Sequence, residues 1–192
     1  MQLQGEQLIR ADRQRVWSAL NDPDVLKASI DGCQSLAWIG ENQLEGVVAA
    51  AIGPVKATFK GVVTLSDLIP PESYRISGEG KGGAAGFAKG GADVQLTETP
   101  DGTQLRYTVT AQVGGKLAQI GARLVDAAAQ KYAASFFENF RKAVEEPSEA
   151  EAVNEVAAVA PESDENSGLP GWVWAGGVIV LVALVLAALL MS

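Results

Sequence analysis

The stretch Gln43-Leu-Glu-Gly-Val-Val-Ala-Ala-Ala-Ile52, then Gly53-Pro54, then Val55-Lys-Ala-Thr-Phe-Lys-Gly-Val-Val-Thr-Leu-Ser-Asp-Leu68, decides the fold class. Side chains of a strand alternate between its two faces. The first run therefore gathers Leu44, Gly46, Val48, Ala50 and Ile52 on one side, and the second gathers Val55, Ala57, Phe59, Gly61 and Val63. Gly-Pro is a turn signal, and a short turn joins antiparallel neighbours. The segment reads as a β-hairpin with an apolar inner face made mostly of small residues.

The same pattern extends outward. Strand-like runs occupy 2–10, 34–39, 73–80, 88–98 and 104–113, with turn signals at Gly40-Glu41-Asn42, Pro70-Pro71 and Pro100-Asp101-Gly102. Their expected inner faces carry Tyr74, Ile76 and Gly78; Ala88, Gly90, Ala92 and Val94; and Leu105, Tyr107, Val109 and Ala111. Between the first two strands lie short helical stretches, 13–20 behind Asp12 as cap and 23–29 with Asp22 as cap and Pro23 at the first helical position. A long helix is expected over 116–144, with the stripe Leu117, Ile120, Leu124, Ala128, Tyr132, Phe136 and Phe140. The sum is an α+β domain over 1–144, a seven-stranded antiparallel curved sheet around a C-terminal helix, and no internal repeat.

The inner faces raise a packing question. The helix is thin over its first half, with Ala118, Gly121, Ala122, Ala127, Ala128 and Ala129, and its bulky Phe136, Phe137 and Phe140 come late. Side chains this small do not fill a sheet-to-helix gap of about 10 Å, so either the elements approach closely or an apolar ligand occupies the space. Periodicity places such a pocket among Phe59, Tyr107, Leu117, Ile120, Leu124 and Ala128, with Tyr74 and Phe87 near its mouth, and Gly121→Phe is expected to fill it.

Residues 172–191 carry no charge. About twenty helical residues span roughly 30 Å, the hydrocarbon thickness of a bilayer, and Trp172 and Trp174 stand where interfacial aromatics belong. A single-pass anchor is expected over 171–192. The opening residues lack the basic start and apolar run of a signal peptide, so the globular part is expected on the cytoplasmic side of the cytoplasmic membrane. A lone cysteine, Cys33, agrees with a reducing compartment and reads as an inert small side chain.

The net charge of -8 is unevenly spread. All 15 Lys and Arg lie before residue 143, where 15 of the 23 acids accompany them; the other eight fall from Glu145 to Glu165. Residues 145–170 thus read as an acidic, self-repelling disordered linker that leashes the domain, with a random-coil span of roughly 25 to 30 Å and a stretched reach on the order of 85 Å. A domain neutral in sum offers anionic lipid little attraction, and nucleic acid is not an expected partner.

Catalytic signals are sparse. The chain has no histidine, which removes the commonest general base near neutral pH and the commonest metal ligand, and one cysteine makes no Cys/His metal cluster. Asp12 and Asp22 read as caps, and Asp93 falls on the outward register. The run Gly78-Glu-Gly-Lys-Gly-Gly83 is no nucleotide loop, because a strand follows it and Gly82 stands where a phosphate loop needs Ser or Thr.

Three ordered motifs carry a resemblance: Gly53-Pro-Val-Lys-Ala-Thr-Phe-Lys-Gly61, the glycine-rich 78–91, and Gly114-Gly-Lys-Leu-Ala-Gln-Ile-Gly-Ala-Arg123 leading to Phe136-Phe-Glu-Asn-Phe140. Residues 1 to about 142 resemble the CoxG family, the carbon monoxide dehydrogenase G-subunit group of the START-like (SRPBCC) helix-grip superfamily. One departure is Asp31 before Gly32, where the family usually carries Pro-Gly, so that loop's shape does not carry over. The resemblance implies a helix-grip fold and a noncatalytic accessory protein that recruits a molybdenum-hydroxylase type dehydrogenase to the membrane. On that footing the apolar cavity is expected to take an isoprenoid quinone, with Tyr74 or Tyr107 donating to a quinone carbonyl. The other readings are a docking tether that carries nothing and a cyclase-type enzyme, a class the same superfamily contains.

Overall fold

The computed structural model describes residues 1–145, so the acidic linker beyond Glu145 and the apolar anchor expected from the sequence lie outside the described residues. The chain runs β1 (Gln2–Ile9), α1 (Arg13–Ala19), α2 (Pro23–Ser29), β2 (Cys33–Gly40), β3 (Gln43–Ile52), β4 (Val55–Ile69) and β5 (Ser73–Lys81). A short 3-10 turn (Gly83–Ala85), β6 (Gly86–Thr99), β7 (Gly102–Gly115), α3 (Lys116–Ile120) and α4 (Ala122–Glu145) complete it. The strands form one antiparallel sheet in the order β1-β7-β6-β5-β4-β3-β2. Every strand read from alternation is present. The inner residues of β3, Leu44, Gly46, Val48, Ala50 and Ile52, are all buried, while Gln43, Ala49 and Ala51 between them are exposed.

Both capping assignments hold. Asp12 Oδ1 accepts from the Arg15 backbone N–H at 2.8 Å, and Asp22 Oδ1 accepts from those of Asp24 and Val25 at 2.8 and 3.3 Å. Each carboxylate satisfies donors that a helix start leaves without partners, which fixes where α1 and α2 begin.

The long helix differs from expectation. Gly121, at φ 92° and ψ 141°, breaks it into α3 and α4. A residue with a Cβ rarely adopts that φ, so glycine makes the break cheap. The break resets the helical phase. Val125, Ala129, Ala133, Phe136, Phe137, Phe140 and Val144 face the sheet, whereas Leu124, Ala128 and Tyr132 lie one position around.

Two further features lie at the margins of the sheet. The first is at its edge, where β2 pairs with β3 only as far as Cys33 opposite Val48, so 49–52 project beyond it. Gly32 O accepts from Ala49 N at 2.9 Å, and the Tyr132 hydroxyl accepts from Ala51 N at 3.0 Å and donates to Ala51 O at 3.4 Å. A helix side chain thus stands in for the missing strand. The second is at the end of α4, where the Arg10 backbone N–H donates to Glu145 Oε1 at 2.9 Å. The chain therefore leaves the domain beside the β1–α1 junction, opposite α3. Among the described residues no helix is long and apolar enough to cross a membrane.

Candidate functional site

The concave face of the sheet holds the candidate site, and it has two unlike halves. Toward α1 and the end of α4 it is filled by rings. Trp17 meets Tyr74 edge-on at 5.3 Å between centroids, Tyr107 stacks on Phe137 at 5.2 Å, and Phe136 lies 5.0 Å from Phe137 and 5.4 Å from Phe140. Such pairs add about 0.5–1.5 kcal/mol each beyond their burial. Toward α3 the wall is small: Gly46, Ala50, Gly61, Gly80, Ala88, Ala92 and Ala111 are all buried there. Close packing explains part of this. A Cβ added to Gly78 would sit 3.1 Å from Val63 Cγ2, and one added to Gly90 would sit 2.9 Å from Ala111 Cβ.

The structure separates the residues named from periodicity. Phe59, Tyr74, Tyr107 and Leu117 are buried in one core, and Ile120 and Ala128 pack partly buried against it. Leu124 is 48 % exposed and lies beside the β3–β4 turn, where a Cβ on Gly53 would come 3.8 Å from its Cδ1. Phe87 is 46 % exposed, on the opposite register from buried Ala88, with its ring against Gly114. Tyr74 and Phe87 stand at opposite ends of the sheet, since the residue across from Phe87 is Lys81, seven residues further along β5. Gly121 has nothing within 4 Å of where its Cβ would lie, so Gly121→Phe projects into open space and fills no cavity.

A feature not foreseen is a surface cavity of about 590 Å³ where β2 stops short, lined by Asp31, Gly32, 49–51, 56–58, Lys131 and Tyr132. Asp31 ties this loop to α4: its carboxylate accepts from Ser135 Oγ and, at 3.4 Å, from Asn139 Nδ2. Gly32 follows at φ 77°, and a Cβ there would run into the Ala49 carbonyl. The signal available in the sequence was Asp31 itself, standing where a proline was expected.

The electrostatics suit packing better than proton transfer. Burial pushes the Tyr107 phenol above its ordinary value. Burial also raises the Cys33 thiol, against the lowering effects of the Lys27 charge and the hydrogen bond that Cys33 Sγ makes to Ser35 O at 3.5 Å. Asp93 faces outward and pairs with Arg75 at 3.0 Å. Among the described residues no three His, Cys, Asp or Glu side chains gather as a metal site.

The family model for CoxG, the G component of carbon monoxide dehydrogenase, matches residues 5–145. A conserved protein from Geobacillus kaustophilus has a solved structure that is similar at a TM-score of 0.71 and 33 % identity, covering 76 % of this chain and 95 % of that one. A Thermus thermophilus protein (TM-score 0.57, 19 % identity, 75 % and 97 % covered) and one from Mycobacterium smegmatis (0.57, 15 %, 75 % and 90 %) share the fold. No curated protein matches the sequence significantly.

Proposed function

The chain belongs to the CoxG family of carbon monoxide dehydrogenase components, and from that membership we propose a noncatalytic accessory protein for a carbon monoxide dehydrogenase-like molybdenum hydroxylase. The apolar 172–191 holds it in the cytoplasmic membrane, the acidic stretch leashes the domain, and the concave face carries a lipophilic quinone to the enzyme. The observation that carries the ligand half is the small-residue wall at the α3 end, with partly buried Ile120 and Ala128 and exposed Leu124 beside it. A long isoprenoid chain suits such a wall, because each methylene kept from water contributes about 0.8 kcal/mol and asks for no polar partner. A carrier of this kind solves a transport problem, since a water-soluble dehydrogenase does not reach a quinone dissolved in lipid.

A second reading, a docking tether that carries nothing, is favoured by the other half of the concavity, where Trp17, Phe136, Phe137 and Phe140 already occupy the space. Mass spectrometry of organic extracts separates the two. Full-length protein purified from native-type membranes should yield quinone near one per domain, absent from a sample of anchor and linker alone. Equal quinone in both samples, or none in either, would leave only the tether.

A further inference from the structure

The cations and acids of residues 1–144 cancel in sum but not in space. Around the α3 end stand Lys56 just past the β3–β4 turn, Lys60 opposite Lys81, Lys81 opposite Phe87, Lys89 two residues beyond Phe87, Lys116 opening α3, and Arg123 in the first turn of α4. All six are exposed. Three carboxylates answer them: Glu45, 2.9 Å from Lys60; Glu79, 3.9 Å from Lys81; and Asp126. The opposite end gathers Asp12, Asp67, Glu72, Glu98 and Asp101 against Arg10, Arg13 and Arg15. The neutral domain is a dipole, and Phe87 and Leu124, two of its exposed large apolar side chains, fall among the cations.

We propose that the α3 end is a docking face for an anionic lipid bilayer, in which the cations meet lipid phosphates while Phe87 and Leu124 enter the headgroup layer. This rests on the membrane placement proposed above and not on a quinone. Charge sign selects the occupant: a cationic rim carrying apolar tips fits an anionic interface, and the domain's other end is repelled by it. Chain length permits the pose. The described chain ends at Glu145, at the far end of a 24-residue α4 about 36 Å long. The 26 residues between Glu145 and Trp172 reach on the order of 85 Å when stretched, enough to run back past the domain. Docked this way, the small-walled half of the concavity opens toward lipid.

The test uses the full chain with Cys33→Ser and a polarity-sensitive fluorophore on Gln119→Cys, exposed on α3, or on Asp101→Cys in the opposite turn. Each protein is reconstituted into phosphatidylcholine vesicles with and without phosphatidylglycerol. The Gln119 label should shift to the blue only with phosphatidylglycerol and revert in high salt, and the Asp101 label should stay silent. Each cation near an anionic surface is worth roughly fivefold in binding, so Lys89→Glu, Lys116→Glu and Arg123→Glu together should weaken the lipid titration by at least about tenfold. The lipid and salt arms need no charge reversal, so they stand even if that variant misfolds. A Gln119 label that is silent on phosphatidylglycerol vesicles, or equally shifted without that lipid, overturns docking, as does an equal shift at both ends. Failure of the chain to float with either vesicle overturns the membrane placement as well, whereas flotation with a silent label overturns docking alone.

Discussion

Replacing Phe137 by alanine tests whether the ring-filled half of the concavity is a packed core. Phe137 is 1 % exposed, with Tyr107 stacked 24° from its plane and Phe136 crossing it at 68°. Truncating a buried phenylalanine costs about 3–5 kcal/mol, depending on how far the site collapses. Collapse is hindered here, because Phe136 and Phe140 hold α4 in place on either side, so we expect about 4 kcal/mol, a large part of the roughly 5–15 kcal/mol that keeps a domain folded. A second effect follows from the same cavity. With its stacking partner gone Tyr107 is wetted, and its phenol, now raised by burial, falls back toward its ordinary value. Urea unfolding followed by tryptophan fluorescence measures the first effect, and phenolate absorbance against pH measures the second. A loss below about 2 kcal/mol with an unmoved phenol would refute the packing argument. If Phe137→Ala does not fold, Phe137→Leu should report the same trend at about 1.5 kcal/mol or less.

Because Tyr107 titrates higher in the folded state, the unfolded chain loses that proton first; stability should fall as pH rises above about 10, and Tyr107→Phe should lessen the fall in urea midpoints measured across that range. Tyr132→Phe removes the hydroxyl that closes the projecting edge of β3 and should cost about 1 kcal/mol in the same assay, with faster amide exchange at Ala51. Asp22→Ala leaves the first donors of α2 to water and should cost about 1 kcal/mol, whereas Asp22→Asn should cost little.

The sheet was legible because half-buried strands write their two faces into alternate residues: Leu44 to Ile52 and Leu105 to Ala111 repeat at two, and both sets are buried. The caps were legible because Asp12 and Asp22 act within three residues of themselves. The helix face was misread because a stripe counted through Gly121 assumes one continuous phase; with the break, Val125 and Ala129 take the places given to Leu124 and Ala128, and Phe137 joins the core. Tyr132 looked like one more stripe residue, since its role depends on β2 being shorter than β3, a relation between strands far apart in sequence. Charge separation was invisible for a similar reason. Lys60, Lys81 and Lys116 are neighbours only through the register of four strands.

The break at Gly121 also governs what this family of sequences can tolerate. In an unbroken helix each inserted residue turns everything beyond it by about 100°, so one addition near Lys116 would swing Phe136, Phe137 and Phe140 away from the sheet. With the chain re-phased at Gly121, α3 can lengthen, shorten or change its outward side chains without rotating the aromatic half of α4. Sequence at the rim and sequence in the core are thereby free to vary independently, with one glycine as the boundary between them.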